Sequence, residues 1–475
     1  MTARRPLDCD VVVAGGGPAG ASAAAHLAAA GLAVVVLDRQ AFPRDKACGD
    51  FVGPSALAEL DRLGVTGRPE VAAANKVRRA ALHLDGRRLI IRRLPRVGDL
   101  PGYGRTIPRR RLDALVLGAA RERGAAVVER ARVTGFVARR GGVDVAFDGP
   151  GGARSLRAAV LVGADGASSA VARTLRGTPP PHEDRIMAVR AYVDGVAGPA
   201  DRADLYFAGD SFPGYYWLFP TGGGQANVGV GMLLDTVPPP REGLRALLAR
   251  LVADDPALAA RLPGRRLAGR VVGWPLTTYN PRAPLVDDRL VLVGDAAGLI
   301  NPLNGEGIQY ALLSGRLAAE AIAAALASAD GPTAAALAPY QAAVEAELRL
   351  DMALAGTVVQ LIRNRALTPV WLETLRTIAA RAKRDPGYAD VVGGILAGLL
   401  PASRALRPDV LAATADGALA SLAATGARTG TGPDLASSLA RETTTDPLRL
   451  AQWGVGLAAQ LTELGTQLVR SYGMS

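Results

Sequence analysis

Residues 10–38 read DVVVAGGGPAGASAAAHLAAAGLAVVVLD, and few folds accept such a stretch. The apolar run Val11–Ala14 has the make-up of a strand buried on both faces of a parallel sheet. It ends in Gly15-Gly16-Gly17-Pro18-Ala19-Gly20, which fits G-x-G-x-x-G, and an alanine-rich stretch of high helical propensity follows to Ala30. Gly31 stops the helix, and Ala33–Leu37 form a second apolar strand that ends at Asp38 and Arg39. Each part has a physical task. Gly15 permits a tight turn, Gly17 lets backbone approach a pyrophosphate, and Gly20 lets the helix lie close on the strand. The helix that opens at Pro18 and Ala19 turns free N–H groups and a positive dipole end toward phosphates. Asp38 stands where a carboxylate can hold a ribose hydroxyl pair. An ordinary glycine-rich βα turn is the plainer alternative, but strand, helix, second strand and acid at these distances predict a dinucleotide site.

A chain of 475 residues has room for more than one domain, and 49% apolar with 21% charged residues fits a globular rather than a disordered protein. Two cysteines, Cys9 and Cys48, and a polar N-terminus up to Asp10 point to a reducing cytoplasm, with no secretory signal and no disulfide framework. His26, His83 and His182 lie far apart and match no metal spacing, so no metal is expected. The net charge is +11, and most of the surplus falls between Lys76 and Arg132. A solvated basic face is one reading; attraction to an anionic cofactor or to the inner face of the cell membrane is the other. Aromatics are 4%, with no helix-turn-helix or zinc-finger pattern, which argues against nucleic acid.

Pro54–Leu63 and Pro108–Arg123 are expected as helices, and Asp85-Gly86 joins Val77–Leu84 to Arg87–Arg92 as a hairpin. Val127–Val128, Val133–Ala138, Val143–Phe147 and Ala159–Gly163 read as strands. From Met187 to Val272 the pattern is one of alternating strands, interrupted by a helix near Arg241–Val252. Arg289–Val293 is again a buried strand, Glu306–Ala327 a long helix, and only helices follow Thr333. No stretch reads as long enough to span a bilayer, and Ala424–Pro433 is the one tract biased enough to be disordered. Thr445–Tyr472 reads as an amphipathic helix with Leu450, Trp453, Leu457, Leu461, Leu464 and Leu468 on one side. It suits packing on the protein's own core or on a second subunit; shallow membrane contact is the alternative.

Two further glycine motifs decide which dinucleotide is bound. Gly163-Ala164-Asp165-Gly166 follows a strand, and Gly294-Asp295-Ala296-Ala297-Gly298 follows another. A carboxylate there can reach sugar-chain hydroxyls that FAD has in its ribityl and NAD lacks. Asn304-Gly305-Glu306-Gly307-Ile308 then opens the long helix, whose first N–H groups can stabilise negative charge on a reduced flavin. This ordered set resembles the FAD-dependent oxidoreductases of the p-hydroxybenzoate hydroxylase fold. Lys46-Ala47-Cys48-Gly49-Asp50 and Tyr215-Tyr216-Trp217-Leu218-Phe219-Pro220 resemble segments of the geranylgeranyl reductase family, nearest its menaquinone-reductase branch. The resemblance covers about residues 8–350.

It implies an α/β fold: a Rossmann-like FAD-binding domain from residues 1–75, 105–180 and 284–330, an inserted β-rich substrate domain from 76–104 and 181–283, and a helical C-terminal region, 331–475. It implies that Asp38 holds the adenosine ribose, Arg109 lies near the FAD phosphates, Asp295 binds the ribityl, and Gly305 and Gly307 line the ring. Asp165, Gly294 and Ile308 join the FAD site through their motifs. Lys46, Ala47 and Cys48 would flank the flavin, with Cys48, or a water or acid it positions, serving a proton transfer. Burial as a small apolar residue is the other reading of Cys48. Tyr215, Trp217 and Phe219 alternate and share one face of a strand, either against the protein's own core or as a wall for a long apolar substrate. The implied reaction is reduction of an isoprenoid double bond, with NAD(P)H, ferredoxin or a quinol as electron donor. A flavin monooxygenase and a non-catalytic prenyl-lipid binder are the rivals. A flavin halogenase is less favoured, because no Trp-x-Trp-x-Ile-Pro is present.

Overall fold

Cys9–Ala14 is a central strand, as its apolar make-up on both faces requires. In the computed structural model, which describes residues 7–237, 243–264, 267, 269–365, 368–396, 399–400, 404, 407 and 409–410, it pairs in parallel with two neighbours. Val11 sits opposite Val34 on one side and Val160 on the other. The eight-stranded sheet runs Val286–Asp287, Leu290–Leu292, Gly152–Gly163, Cys9–Ala14, Val34–Asp38 and Ala126–Glu129; Gly142–Gly149 is added antiparallel to Gly152–Gly163, and Arg132–Arg139 antiparallel to Gly142–Gly149. The strand expected over Ala159–Gly163 is therefore longer. Its polar half, up to Arg157, is held in the antiparallel ladder with Gly142–Gly149, where one face can stay wet.

The helix Pro18–Ala29 packs on Arg109–Glu122 and on Ile308–Ala327. The turn before it has no room for side chains. A Cβ on Gly20 would stand 1.9 Å from the Gly15 carbonyl oxygen, and Gly15 itself has φ +110°. Ile308–Ala327 corrects the expectation about membrane spans: by length and composition it is apolar enough to cross a bilayer, but 56% of its most apolar window is buried inside the fold. It also begins two residues later than expected. Asn304 Oδ1 accepts the Glu306 N–H (2.9 Å) and Gly305 has φ +70°, so the chain is still turning there.

A second, seven-stranded sheet runs Val272–Thr277, Arg185–Val193, Gln225–Leu233, Tyr215–Gly222, Arg202–Phe207, Arg79–Leu84 and Arg87–Arg93. The Asp85-Gly86 turn has positive φ at both residues (48° and 71°), the geometry that matches strand twist in a two-residue hairpin. Tyr216, Leu218, Val228 and Val230 bury one face of this sheet against the helix Gly243–Asp254. A small sheet of Phe51–Val52, Gly104–Thr106 and Asn75–Val77 lies at the junction in sequence. The helices Ala334–Arg363, Thr368–Arg384 and Pro386–Leu396 follow. Ala379, Ala382 and Ala389 pack on Ile90, and Trp371, Leu372 and Leu375 cluster with Leu84 and Phe212. The expected Thr445–Tyr472 helix and the Ala424–Pro433 tract lie outside the described residues.

Candidate active site

Three parallel strands, Cys9–Ala14, Gly152–Gly163 and Leu290–Leu292, end at the same edge of the large sheet, so the loops after them converge. The Ala164 N–H donates to the Ala14 carbonyl (2.8 Å), which ties the second glycine motif to the first. From this edge a cavity of about 1070 Å³ extends under the seven-stranded sheet to the C-terminal helices. Gly15, Gly17, Pro18, Ala19, Asp38 and Arg39 line one end. Asp38 accepts the N–H of Gly16 and of Gln40, both at 2.8 Å. That holds its carboxylate still and leaves lone pairs for a diol.

Arg44 is the guanidinium at Gly17: a Cβ there would lie 3.5 Å from its Nη2. Arg44 pairs with the fully buried Asp113 (2.9 Å), to which Arg109 also donates from Nε and Nη2 at 2.6 and 2.8 Å. Two guanidinium groups against one carboxylate leave a net positive charge beside the glycine turn. Arg109, buried and also lining the cavity, shares Asp113 with Arg44. Asp165 lines the cavity, but its carboxylate is committed elsewhere: it accepts from the Ser169 hydroxyl and from the Ala170 N–H (2.7 Å), at the start of the helix Ala170–Arg176.

Lys46 Nζ and Asp295 Oδ2, both lining the cavity, form an ion pair at 2.9 Å. Burial works against the Asp295 charge, but Lys46 outweighs it and holds the carboxyl below its ordinary range. Gly294 donates its N–H to Ser314 Oγ (3.0 Å), and Ile308 is buried beside Gly305 and Gly307 at the start of the long helix. Cys48, Asp295 and Gly307 share the one cavity.

The loop carrying Ala47 and Cys48 is clamped to the seven-stranded sheet. Asn227 Nδ2 donates to the Cys48 carbonyl (2.7 Å) and to Asp50 Oδ2 (2.8 Å), and Trp217 Nε1 donates to Asn227 Oδ1 (2.9 Å). Tyr192 donates its hydroxyl to Asp50 Oδ2 at 2.5 Å. Asp50, fully buried at φ +62°, is pushed up to about 6 by burial, which those hydrogen bonds only partly offset. Burial likewise raises the Cys48 thiol, against the pull of Arg109. Gly49 lets the loop lie on the aromatic wall, because a Cβ there would meet the Phe219 ring at 3.1 Å. Tyr215, Trp217 and Phe219 all face the cavity, with ring centroids 6.0 and 6.1 Å apart. The wall continues through Phe207 and Phe212 to Ile362, Trp371 and Ile378 on the C-terminal helices. Among the described residues no group of three or more His, Cys, Asp or Glu is placed to hold a metal.

The FAD binding domain family matches residues 8–230. The chain is 35% identical over 334 residues to menaquinone reductase of Mycolicibacterium smegmatis, an alignment spanning 66% of this chain and 75% of that protein. It is 32% identical over 374 residues to digeranylgeranylglycerophospholipid reductase 1 of Methanopyrus kandleri, spanning 77% and 93%. A crystal structure of a geranylgeranyl bacteriochlorophyll reductase-like protein from Thermoplasma acidophilum shares the fold, with TM-score 0.67 and 24% identity over 88% of this chain and 98% of that one. The chain belongs to the geranylgeranyl reductase family of FAD-dependent oxidoreductases.

As a member of that family it uses FAD, and the cavity fits the group. A side-chain-free turn, a rigid Asp38, the Arg44 and Arg109 charge and the Asp295 carboxylate all belong to one cavity, and together they offer the chemistry that an anionic pyrophosphate and sugar hydroxyls call for. Sequence reasoning missed Arg44, Asp50, Tyr192, Asn227 and Glu306. Asp50 and Glu306 sat inside motifs already singled out. Tyr192 and Asn227 are single polar positions on strands, with no local signal to mark them.

Proposed function

We propose that this protein is an FAD-dependent reductase that saturates carbon–carbon double bonds of an isoprenoid or lipid-like substrate. One observation supports this reading above the others. The wall of Tyr215, Trp217 and Phe219 is continuous with an apolar pocket between the Arg79–Arg93 hairpin and the C-terminal helices, and it leads to the same cavity as Asp295 and Gly307. Bound flavin supplies a hydride equivalent to such a reaction. The protein's part is to hold an apolar chain still, keep water away from the reacting carbons, and provide a proton. Aromatic faces and aliphatic side chains hold a polyprenyl chain without leaving buried polar groups unpaired. Cys48 sits at the inner end of the wall as a positioning group whose loop is fixed by Asn227 and Asp50. In this reading the eight-stranded sheet with its helices is the FAD-binding domain, the seven-stranded sheet the substrate domain, and the last helices close the substrate pocket.

Arg87, Arg88, Arg92 and Arg93 are exposed on the edge strand of the substrate sheet, and Arg92 and Arg93 also line the cavity. Attraction to the anionic inner face of the cell membrane would bring a lipid substrate to that opening. The electron donor in this scheme visits transiently: NAD(P)H, ferredoxin or a quinol. The test is turnover without oxygen. Mass spectrometry of prenyl lipids should show two-dalton increments after incubation with reduced enzyme. Turnover that requires oxygen and adds an oxygen atom would instead support the monooxygenase reading.

A further inference from the structure

Among the described residues, six carboxyl side chains line the cavity: Asp38, Asp45, Asp50, Asp165, Asp295 and Glu306. Five are engaged. Asp38 accepts backbone N–H groups, Asp45 takes Arg190, Asp50 takes Tyr192 and Asn227, Asp165 caps a helix, and Asp295 pairs with Lys46. Glu306 differs. Its backbone is fixed, with the N–H given to Asn304 Oδ1 (2.9 Å) and the carbonyl accepting the Asn301 N–H (2.9 Å). Its carboxyl group, half-buried on the cavity wall, has no hydrogen bond or ion pair among the described residues, and its removal from bulk water pushes it up to about 8. The residue sits between two glycines that mark its surroundings: a Cβ on Gly305 would lie 3.9 Å from the Tyr215 hydroxyl, and one on Gly307 would lie 3.8 Å from Asp295 Oδ1. Glu306 therefore lies in the loop between the Asp295 carboxylate and the aromatic wall, close enough for its charge to act on Tyr215.

We propose that Glu306 is the proton donor for reduction of the substrate double bond. This rests on the reductase reading above. The carboxylic O–H gives its proton to one alkene carbon while the other receives the hydride equivalent carried by the reduced cofactor. The π bond breaks, two C–H bonds form, the substrate gains two electrons, and the carboxylate left behind regains a proton from water. A neutral carboxylic acid in an apolar pocket, with an acidity near the working pH, is well matched to this task. The groups that feel its charge are Tyr215 on the aromatic strand and Tyr310 on the long helix, and neither is a cation. The cationic side chains Lys46 and Arg109, which line the same cavity, are paired with Asp295 and Asp113. The Cys48 thiol is a weaker candidate: it already accepts the Asp50 N–H (3.4 Å) and lies against Arg109.

The test uses FAD-loaded full-length enzyme, reduced with dithionite without oxygen, with flavin reoxidation by geranylgeraniol in detergent followed by absorbance. Wild type should reoxidise, and its rate should fall as pH rises through about 8. Glu306→Gln should slow reoxidation by about 10²–10⁴-fold with a flat pH profile, and should leave dithionite reduction unchanged. Glu306→Asp should restore part of the rate. Infrared difference spectra of substrate-free enzyme give a readout independent of turnover: a protonated-carboxyl band lost across the same pH range, and missing from Glu306→Gln. If Glu306→Gln keeps the wild-type rate and pH profile, or if no such band exists, this proposal is overturned and the reductase reading survives. If wild type transfers nothing to the alkene, both are overturned.

Discussion

Gly20 shows how little freedom a single position can have. A methyl group there would stand 1.9 Å from a backbone oxygen of the same turn, and neither atom belongs to a flexible side chain. Gly20→Ala should therefore yield protein with little or no flavin absorbance, where wild type purifies yellow. Asp50 is constrained by chemistry. It accepts Tyr192, Asn227 and the Arg109 N–H (3.2 Å), all within the core. Asp50→Ala orphans these donors together, and a buried donor without an acceptor costs about 1–3 kcal/mol, so a clear loss in denaturant midpoint is expected. Asp50→Asn keeps one carbonyl acceptor and tolerates the left-handed backbone, and should lose less. Both residues lie in motifs legible in the sequence, yet only Gly20 was assigned its task from them. The G-x-G-x-x-G rule is local. The task of Asp50 depends on partners more than 140 positions away for Tyr192 (142) and Asn227 (177).

The strand Tyr215–Gly222 is the element on which the two halves of the molecule meet. Alternation put Tyr215, Trp217 and Phe219 on one face from the sequence alone. Whether that face met core or cavity was undecidable there, because both environments select aromatic residues. The helix Gly243–Asp254 settles it by covering the other face, with Tyr216 and Leu218 beneath it. Trp217→Ala should then act twice. It removes a large side chain, at a cost of about 3–5 kcal/mol, and frees Asn227, which clamps the Cys48 loop. The expected result is a lower melting temperature together with a higher KM for prenyl substrate. Trp217→Phe keeps most of the packing and should lose about 1–3 kcal/mol, for the buried Asn227 oxygen left without its indole donor. A stability assay on the pair of variants separates the two effects.

At the scale of the whole molecule, the cavity is bounded on one side by the helices that follow Thr333. Ile378 on Thr368–Arg384 lines its far end. Ile378→Asp puts a charge into an apolar wall, and should raise KM steeply for long prenyl chains while flavin content stays at the wild-type level, as measured by absorbance ratio. Two acids, the buried Asp50 and the half-buried Glu306, also shape stability against pH. Asp50 is raised from 3.8 to about 6 and Glu306 from 4.5 to about 8, so the folded protein binds more protons than the unfolded chain between those values. Their contribution to stability is complete below pH 3.8 and is lost as pH rises through about 6 and then about 8. Chemical denaturation of Glu306→Gln should show a shallower decline over the upper part of that window than wild type.

The sequence by itself determined the parallel core, the glycine turn, the acidic ends of the strands and the order of the FAD motifs. These depend on backbone conformation and on neighbours within a few residues, and such constraints are written locally. Tertiary structure alone decided that Arg44 stands at Gly17 and shares Asp113 with Arg109, that the Asp165 carboxylate is committed to a helix start, and that the Glu306 carboxyl has no hydrogen bond or ion pair among the described residues. Burial, and the satisfaction of a charge, are properties of everything packed around a side chain, and that surrounding comes from strands and helices hundreds of residues apart in the chain.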